Sequence, residues 1–252
     1  MTIAASHPVP AAEATPQPSS AGAVWAHTTA LAGAVFFALI VAFANLRSTT
    51  PSATDSGQKV IDYVTAHQSQ LELGAALLGL AMAAALVWVS GLYSVLRRAE
   101  PNPGVAVAAV AGGTLAATSG ALSALIQGTL AVRIADLDAA GARVAWTMCL
   151  MSIGAIVLGL LVVVGMTGVV SLKHHLFAPW FGVASLVLAL GSIPGVFLLG
   201  SVAVGVQAAA GIAVLLDGVW MLLVSLFVWR KPTLAGTASA SAGTSPGWPT
   251  LG

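Results

Sequence analysis

Asp217 is the residue of this chain best placed to do chemistry, because it stands alone. No other Asp, Glu, Lys or Arg occurs between Lys173 and Arg230. A carboxyl at bilayer depth costs roughly 2.5–3.5 kcal/mol on insertion scales and marks a functional site by default. It calls for a bound proton or cation, as in a small transporter or channel, or for a hydrogen bond that locks one helix to another. Gly205, Ala209, Ala213 and Asp217 stand four apart, so Asp217 extends a ridge of small residues and is expected to face another helix rather than lipid. Ser119 and Ser123 are expected at similar depth and are its candidate partners. With Gln127 they form a polar stripe, again four apart. Such side chains bond across helices for about 0.6 kcal/mol on average, and this is their expected role, with the wall of a polar cavity as the alternative. Gln127 is expected about 10 Å or more further along the axis, from the 1.5 Å rise per residue.

Other chemistry finds few residues to work with. His174 and His175 are adjacent, so on a helix they point about 100° apart and make no metal pair. They belong at headgroup level. His27 stands alone, and a membrane haem would need axial ligands, commonly histidines, within the spans. Cys149, the single cysteine, reads as a small core residue and says nothing of redox compartment. No nucleophile and base can be paired, and Gly112-Gly113 lacks a phosphate-binding context. The sequence asks for no cofactor and no metal, and it points away from an enzyme. A net charge of +1 is too balanced for nucleic acid. The lipid bilayer is the implied partner; a protein partner or homo-oligomer stays open.

The elements that must position these residues are membrane spans. Charged residues make up 7% of the chain and apolar ones 58%, with a mean hydropathy of +0.96; a soluble domain carries about 25% charge. A spanning helix needs about 20 mostly apolar residues. Six such spans fit, at about 24–46, 71–96, 104–132, 144–170, 178–199 and 205–229, and the expected fold is an all-α helix bundle. Pro101 and Pro103 suit the start of the third span, where a missing N–H costs nothing. The run from 176 to 229 is split at 200–205, with Pro194-Gly195 as a competing break or a kink. In the first outer loop, Ser56 reads as a cap, and Val60, Ile61 and Val64 recur at helical spacing. A short amphipathic helix is expected there, lying on the outer surface. RIADLDAAGAR (133–143) reads as a further helical turn. Residues 1–23 and 231–252 are expected to be disordered tails; the first 22 residues hold four prolines and no Lys or Arg, unlike a signal peptide.

Six spans put both termini on one side. Arg97, Arg98, Lys173, Arg230 and Lys231 fall there, against Arg47, Lys59, Arg133 and Arg143 opposite. The tail-side positives sit hard against span ends, so the positive-inside rule places both tails in the cytoplasm. Trp25, Trp146, Trp180 and Trp229 fall near span ends and are expected to be interface anchors. Glu72 and Asn45 fall near the outer boundary and are expected in surface pairs with Arg133 and Arg143. In the third span Gly112, Ala116, Gly120, Ala124 and Gly128 recur every four residues. This ridge permits close helix contact and makes span three central, or else supplies a homodimer face.

The segments QKVIDYVTAHQSQLELGAALLGLAMAAALVWVSGLYSVLRRAEP, AGGTLAA and RIADLDAAGARVAW resemble a group of uncharacterised six-span bacterial integral membrane proteins. The matching features are Tyr63 and His67 in an outer-loop helix, Leu-Arg-Arg-Ala-Glu closing span two, and Gly-Gly opening span three. The resemblance covers the first two-thirds of the chain. It implies the topology and carries no activity. The function expected from the sequence is a non-enzymatic membrane component, structural or regulatory, with a small transporter or channel using Asp217 as the alternative.

Overall fold

The computed structural model describes residues 20–46, 50–199 and 203–230. Among the described residues eight α-helices follow one another: α1 Ser20–Leu46, α2 Gly57–Ala66, α3 Gln68–Ala99, α4 Pro103–Arg133, α5 Ala139–His174, α6 Pro179–Gly191, α7 Ile193–Val196 and α8 Val204–Arg230. Six helical stretches are long and apolar enough to cross a membrane, and no strand occurs among the described residues. The protein is an all-α, multi-pass membrane bundle. Apart from residues 20–23, the expected tails lie outside the described residues. Residues 20–23 are helical, so α1 starts earlier than the sequence suggested.

Helix ends follow local chemistry. Asn102 caps α4, its Oδ1 accepting the Gly104 N–H at 3.0 Å, with Pro103 in the first turn. Asp138 caps α5 by accepting the Gly141 N–H at 2.7 Å. Each cap satisfies a donor that the first helical turn leaves unpaired. His175 ends α5 in the left-handed region (φ 51°). Between α4 and α5, residues Ile134–Asp136 form a 3-10 turn. The fifth span is broken: α6 stops at Gly191, and a short turn, α7, carries Pro194 in its first residues. Proline has no N–H to continue the ladder, so the Pro194-Gly195 break lies inside the span rather than ending it.

Spans meet here by close approach, because lipid gives no hydrophobic drive for association. α4 packs between α3 and α5; α1 packs on α3 and α8; α8 packs also on α5 and α7. The α4–α5 crossing is nearly backbone on backbone: a Cβ on Gly112 would lie 2.7 Å from the Gly159 carbonyl oxygen, and one on Gly159 would lie 2.7 Å from the Ala116 nitrogen. On the other flank Gly120 meets the Met82 sulfur and Gly128 faces Ala75 of α3. Gly112, Ala116, Gly120 and Ala124 are buried, and Gly128 half-buried.

The amphipathic helix is present, but it does not lie free on a surface. Ser56 caps it, accepting the Lys59 N–H at 3.3 Å. Its Val60 and Val64 are buried in a cluster with Leu71, Leu130, Trp146 and Leu150, and Gly57 abuts the Ala139 backbone. α2 therefore plugs one end of the bundle. This end is the α2 face; the opposite end, where α1 begins and α8 stops, is the terminal face.

Candidate functional site

Asp217 is fully buried. Its neighbours along one side of α8, namely Ala210, Ala213, Trp220, Met221 and Val224, are buried too. The small-residue ridge proposed from the sequence is only partly this face: Gly205 is exposed and Ala209 half-buried, and the ridge goes under only at Ala213. Gly195 at the α6–α7 break packs on the Ala210 backbone, and Ser185 of α6 accepts the Trp220 indole N–H at 2.8 Å. Asp217 lies between these two contacts along α8, so it looks toward the broken fifth span.

The expected bond from Asp217 to Ser119 or Ser123 is not formed. Neither carboxyl oxygen has a hydrogen-bond partner among the described residues. Ser123 is engaged elsewhere: its Oγ lies 3.4 Å from the Cys149 carbonyl oxygen and 3.2 Å from the Cys149 Sγ, and it accepts the Gln127 Nε2–H at 3.3 Å. Ser119 is half-buried. Helix order explains the separation, because α4 is enclosed by α3 and α5 while α8 rests on α1, α5 and α7. Similar depth did not mean adjacent helices.

A cavity of about 460 Å³ opens beside this region. Phe36 and Ile40 of α1, Met82 of α3, Ile156 of α5, and Val214 and Leu215 of α8 form much of its wall. Ser123 and Gln127 supply the polar side chains of the lining. The stripe thus borders a largely apolar cavity, not the polar one that was the alternative to interhelical bonding. A small void of about 20 Å³ continues below, sharing Phe36, Met82 and Ile156 and reaching Met221. Asp217 stands between Val214 and Met221 in sequence and lines neither space.

On the terminal face a charged cluster forms. Glu100, with its side chain 6% exposed, receives Lys173 Nζ and His174 Nε2 on one oxygen, each at 2.8 Å. The Asn102 backbone N–H donates to its other oxygen at 3.1 Å. An ionised carboxylate only accepts, so His174 carries its proton on Nε2. Lys173 foremost, then His174 and the Asn102 N–H, hold the Glu100 carboxyl down at about 2. His174 therefore ties α5 to the α3–α4 turn instead of sitting free among headgroups. The sequence carried a signal for this: Glu100 is the only acid beside the span-end cations of that side.

Other expectations change for packing reasons. Trp146 is buried, and its indole N–H donates to the Pro51 carbonyl at 2.9 Å; it fastens the loop before α2 and is no lipid anchor. Trp180 and Trp229 are exposed, and Trp229 packs on His27 with ring centroids 4.5 Å apart. Two mid-span tryptophans do more in the core. Trp88 donates to Ser225 at 3.0 Å, and its ring meets Trp220 edge-on at 5.9 Å. A tryptophan far from a span end, with a serine on another span, was the available sign. Arg133 pairs with Asp136 at 2.6 Å, Glu72 accepts from Gln68 at 3.2 Å, and Asn45 donates to the Val41 carbonyl at 2.8 Å. Partners one helical turn away displaced the expected pairs between loops.

No protein-family model, no curated protein and no solved structure matches this chain.

Proposed function

We propose that this protein is a non-enzymatic component of the cell membrane, structural or regulatory, with both termini in the cytoplasm. The enclosure of Asp217 carries the reading. Its carboxyl has no exposed surface, its flanking side chains are buried, and it lines neither adjacent space. A transport site needs a path for its ion from one face; the burial of Trp220, Met221 and Val224 beside Asp217 supports the enclosed reading. The orientation follows from Arg97, Arg98 and Lys173 at the terminal face and the positive-inside rule.

A second reading has its own support. A buried carboxyl without a hydrogen-bond partner costs several kcal/mol, and here it faces a span broken at Pro194. Broken helices of this kind coordinate ions in transporters. Carbodiimide labelling of Asp217 in native membranes, across pH and with candidate ions, separates the two. The reagent is apolar and attacks protonated carboxyls. The structural reading expects no labelling at any pH, with Asp217→Asn folding normally. Labelling that falls as pH rises, or that one ion blocks, replaces it with transport.

A further inference from the structure

We propose that the cavity between α1 and α8 is a binding site for an uncharged amphiphile drawn from the bilayer: a hydrocarbon chain ending in a carbonyl or hydroxyl group. The inference rests on the membrane reading above but not on the role of Asp217.

Three features of the cavity select this ligand. The first is its size. About 460 Å³ is roughly three times the 150 Å³ that holds one benzene, and it falls within the usual range for small-molecule sites. The second is its opening. α1 and α8 approach closely toward the terminal face, where Gly33 abuts Ser225 and Gly218 meets Phe37. Toward the α2 face the cavity separates them, and the α8 side of its rim is exposed at Ala208, Gly211, Ile212 and Leu215. Those residues lie within a membrane span, so the mouth faces lipid rather than water.

The third feature is chemical. No charged side chain lines the cavity. Ser123 and Gln127 do, each 1% exposed, and both come from α4, across the cavity from the α8 rim. Gln127 lies six residues, about 9 Å at 1.5 Å per residue, inside the Arg133 end of α4. An ionic headgroup at that depth would meet no counter-charge and would bear the cost of burial. A carbonyl or hydroxyl can join the Ser123–Gln127 pair, because an amide and a hydroxyl both donate and accept. The chain then lies along Phe36, Ile40, Met82 and Ile156.

The test uses the full chain in phosphatidylcholine nanodiscs. Radiolabelled dodecanol and a decyl-substituted quinone are titrated, with dodecane and dodecanoate as comparators. The expected result is saturable binding of the alcohol or the quinone, one per chain, and the stronger of the two identifies the head group. Gly211→Leu is the blocking variant, since a Cβ there meets nothing within 4 Å. Its side chain displaces at least two chain carbons and lowers affinity about tenfold, with the unfolding temperature unchanged. Gln127→Leu removes one hydrogen-bonding group and cuts the preference over dodecane about 2- to 12-fold. If Gly211→Leu does not fold, Ala208→Leu at the same rim takes its place, and the rise in wild-type unfolding temperature with added probe gives an independent reading. Dodecane binding as well as the alcohol, dodecanoate binding better, or a folded blocking variant binding like wild type would each overturn the proposal. Because dodecanol binding does not depend on Asp217, Asp217→Asn binds it like wild type whichever way the carbodiimide experiment falls.

Discussion

Gly159→Ala is the substitution that tests how this bundle is held together. A methyl at 159 points into the backbone of α4, at 2.7 Å from the Ala116 nitrogen and 2.9 Å from the Ala116 Cβ, and it also strikes the Gly112 carbonyl oxygen. The nitrogen contact falls about 0.7 Å short of the 3.4 Å at which ordinary contact begins. No side chain can rotate away, because two of these atoms are main chain. The helices must separate, and the seam from Gly112 to Ala116 loosens with them. Overpacking of this kind costs about 1–3 kcal/mol. Alanine also gains about 0.8–1 kcal/mol of helix propensity over glycine, which would hide part of the loss. Gly79→Ala supplies the correction: it lies in α3, and a Cβ there meets nothing within 4 Å. Both variants gain propensity, so their difference isolates the steric term. Reversible unfolding in mixed micelles should place Gly159→Ala about 1–3 kcal/mol below Gly79→Ala. A difference under about 0.5 kcal/mol, the range of neutral surface changes, would refute the view that α4 and α5 associate through backbone contact.

Three further outcomes follow from named contacts. The Glu100 carboxyl is held at about 2, below its ordinary value of 4.5, so its contribution to stability is fully present above about 4.5 and is lost as pH falls toward about 2; pH-dependent unfolding should show this loss in wild type, and Glu100→Gln should abolish that segment of the curve. Trp146→Phe leaves the Pro51 carbonyl without its donor, which should cost about 1–3 kcal/mol and speed proteolysis of the loop before α2 under limiting protease. Ser185→Ala strands the buried Trp220 indole N–H, with a similar expected cost of about 1–3 kcal/mol in the same unfolding assay; a loss below about 0.5 kcal/mol would mean that the indole finds another acceptor.

The sequence by itself determined the membrane class, the number of spans and most of their ends. The reason is that these depend on one-dimensional quantities. A charge-free run of 20 residues is long enough to cross, and Pro103 and Ser56 mark helix starts through groups within three residues of themselves. The every-fourth ridge of α4 was equally legible, since periodicity fixes which residues share a face. Which helix lies against which face is not in the period. Ser123 and Asp217 were matched by depth, yet α5 and α1 stand among the elements that decide their neighbours, and Ser123 bonds to Cys149 instead. Trp146 read as a lipid anchor because it is near a span end, and only the fold of α2 over that end buries it. The ties of Glu100 to Lys173 and His174 cross more than 70 residues of chain, and the 460 Å³ cavity draws its wall from five helices. Such features arise where helix surfaces fail to meet or where distant ends coincide. They are properties of three-dimensional packing among helices of nearly uniform apolar character, and in lipid no hydrophobic gradient writes that packing into the sequence.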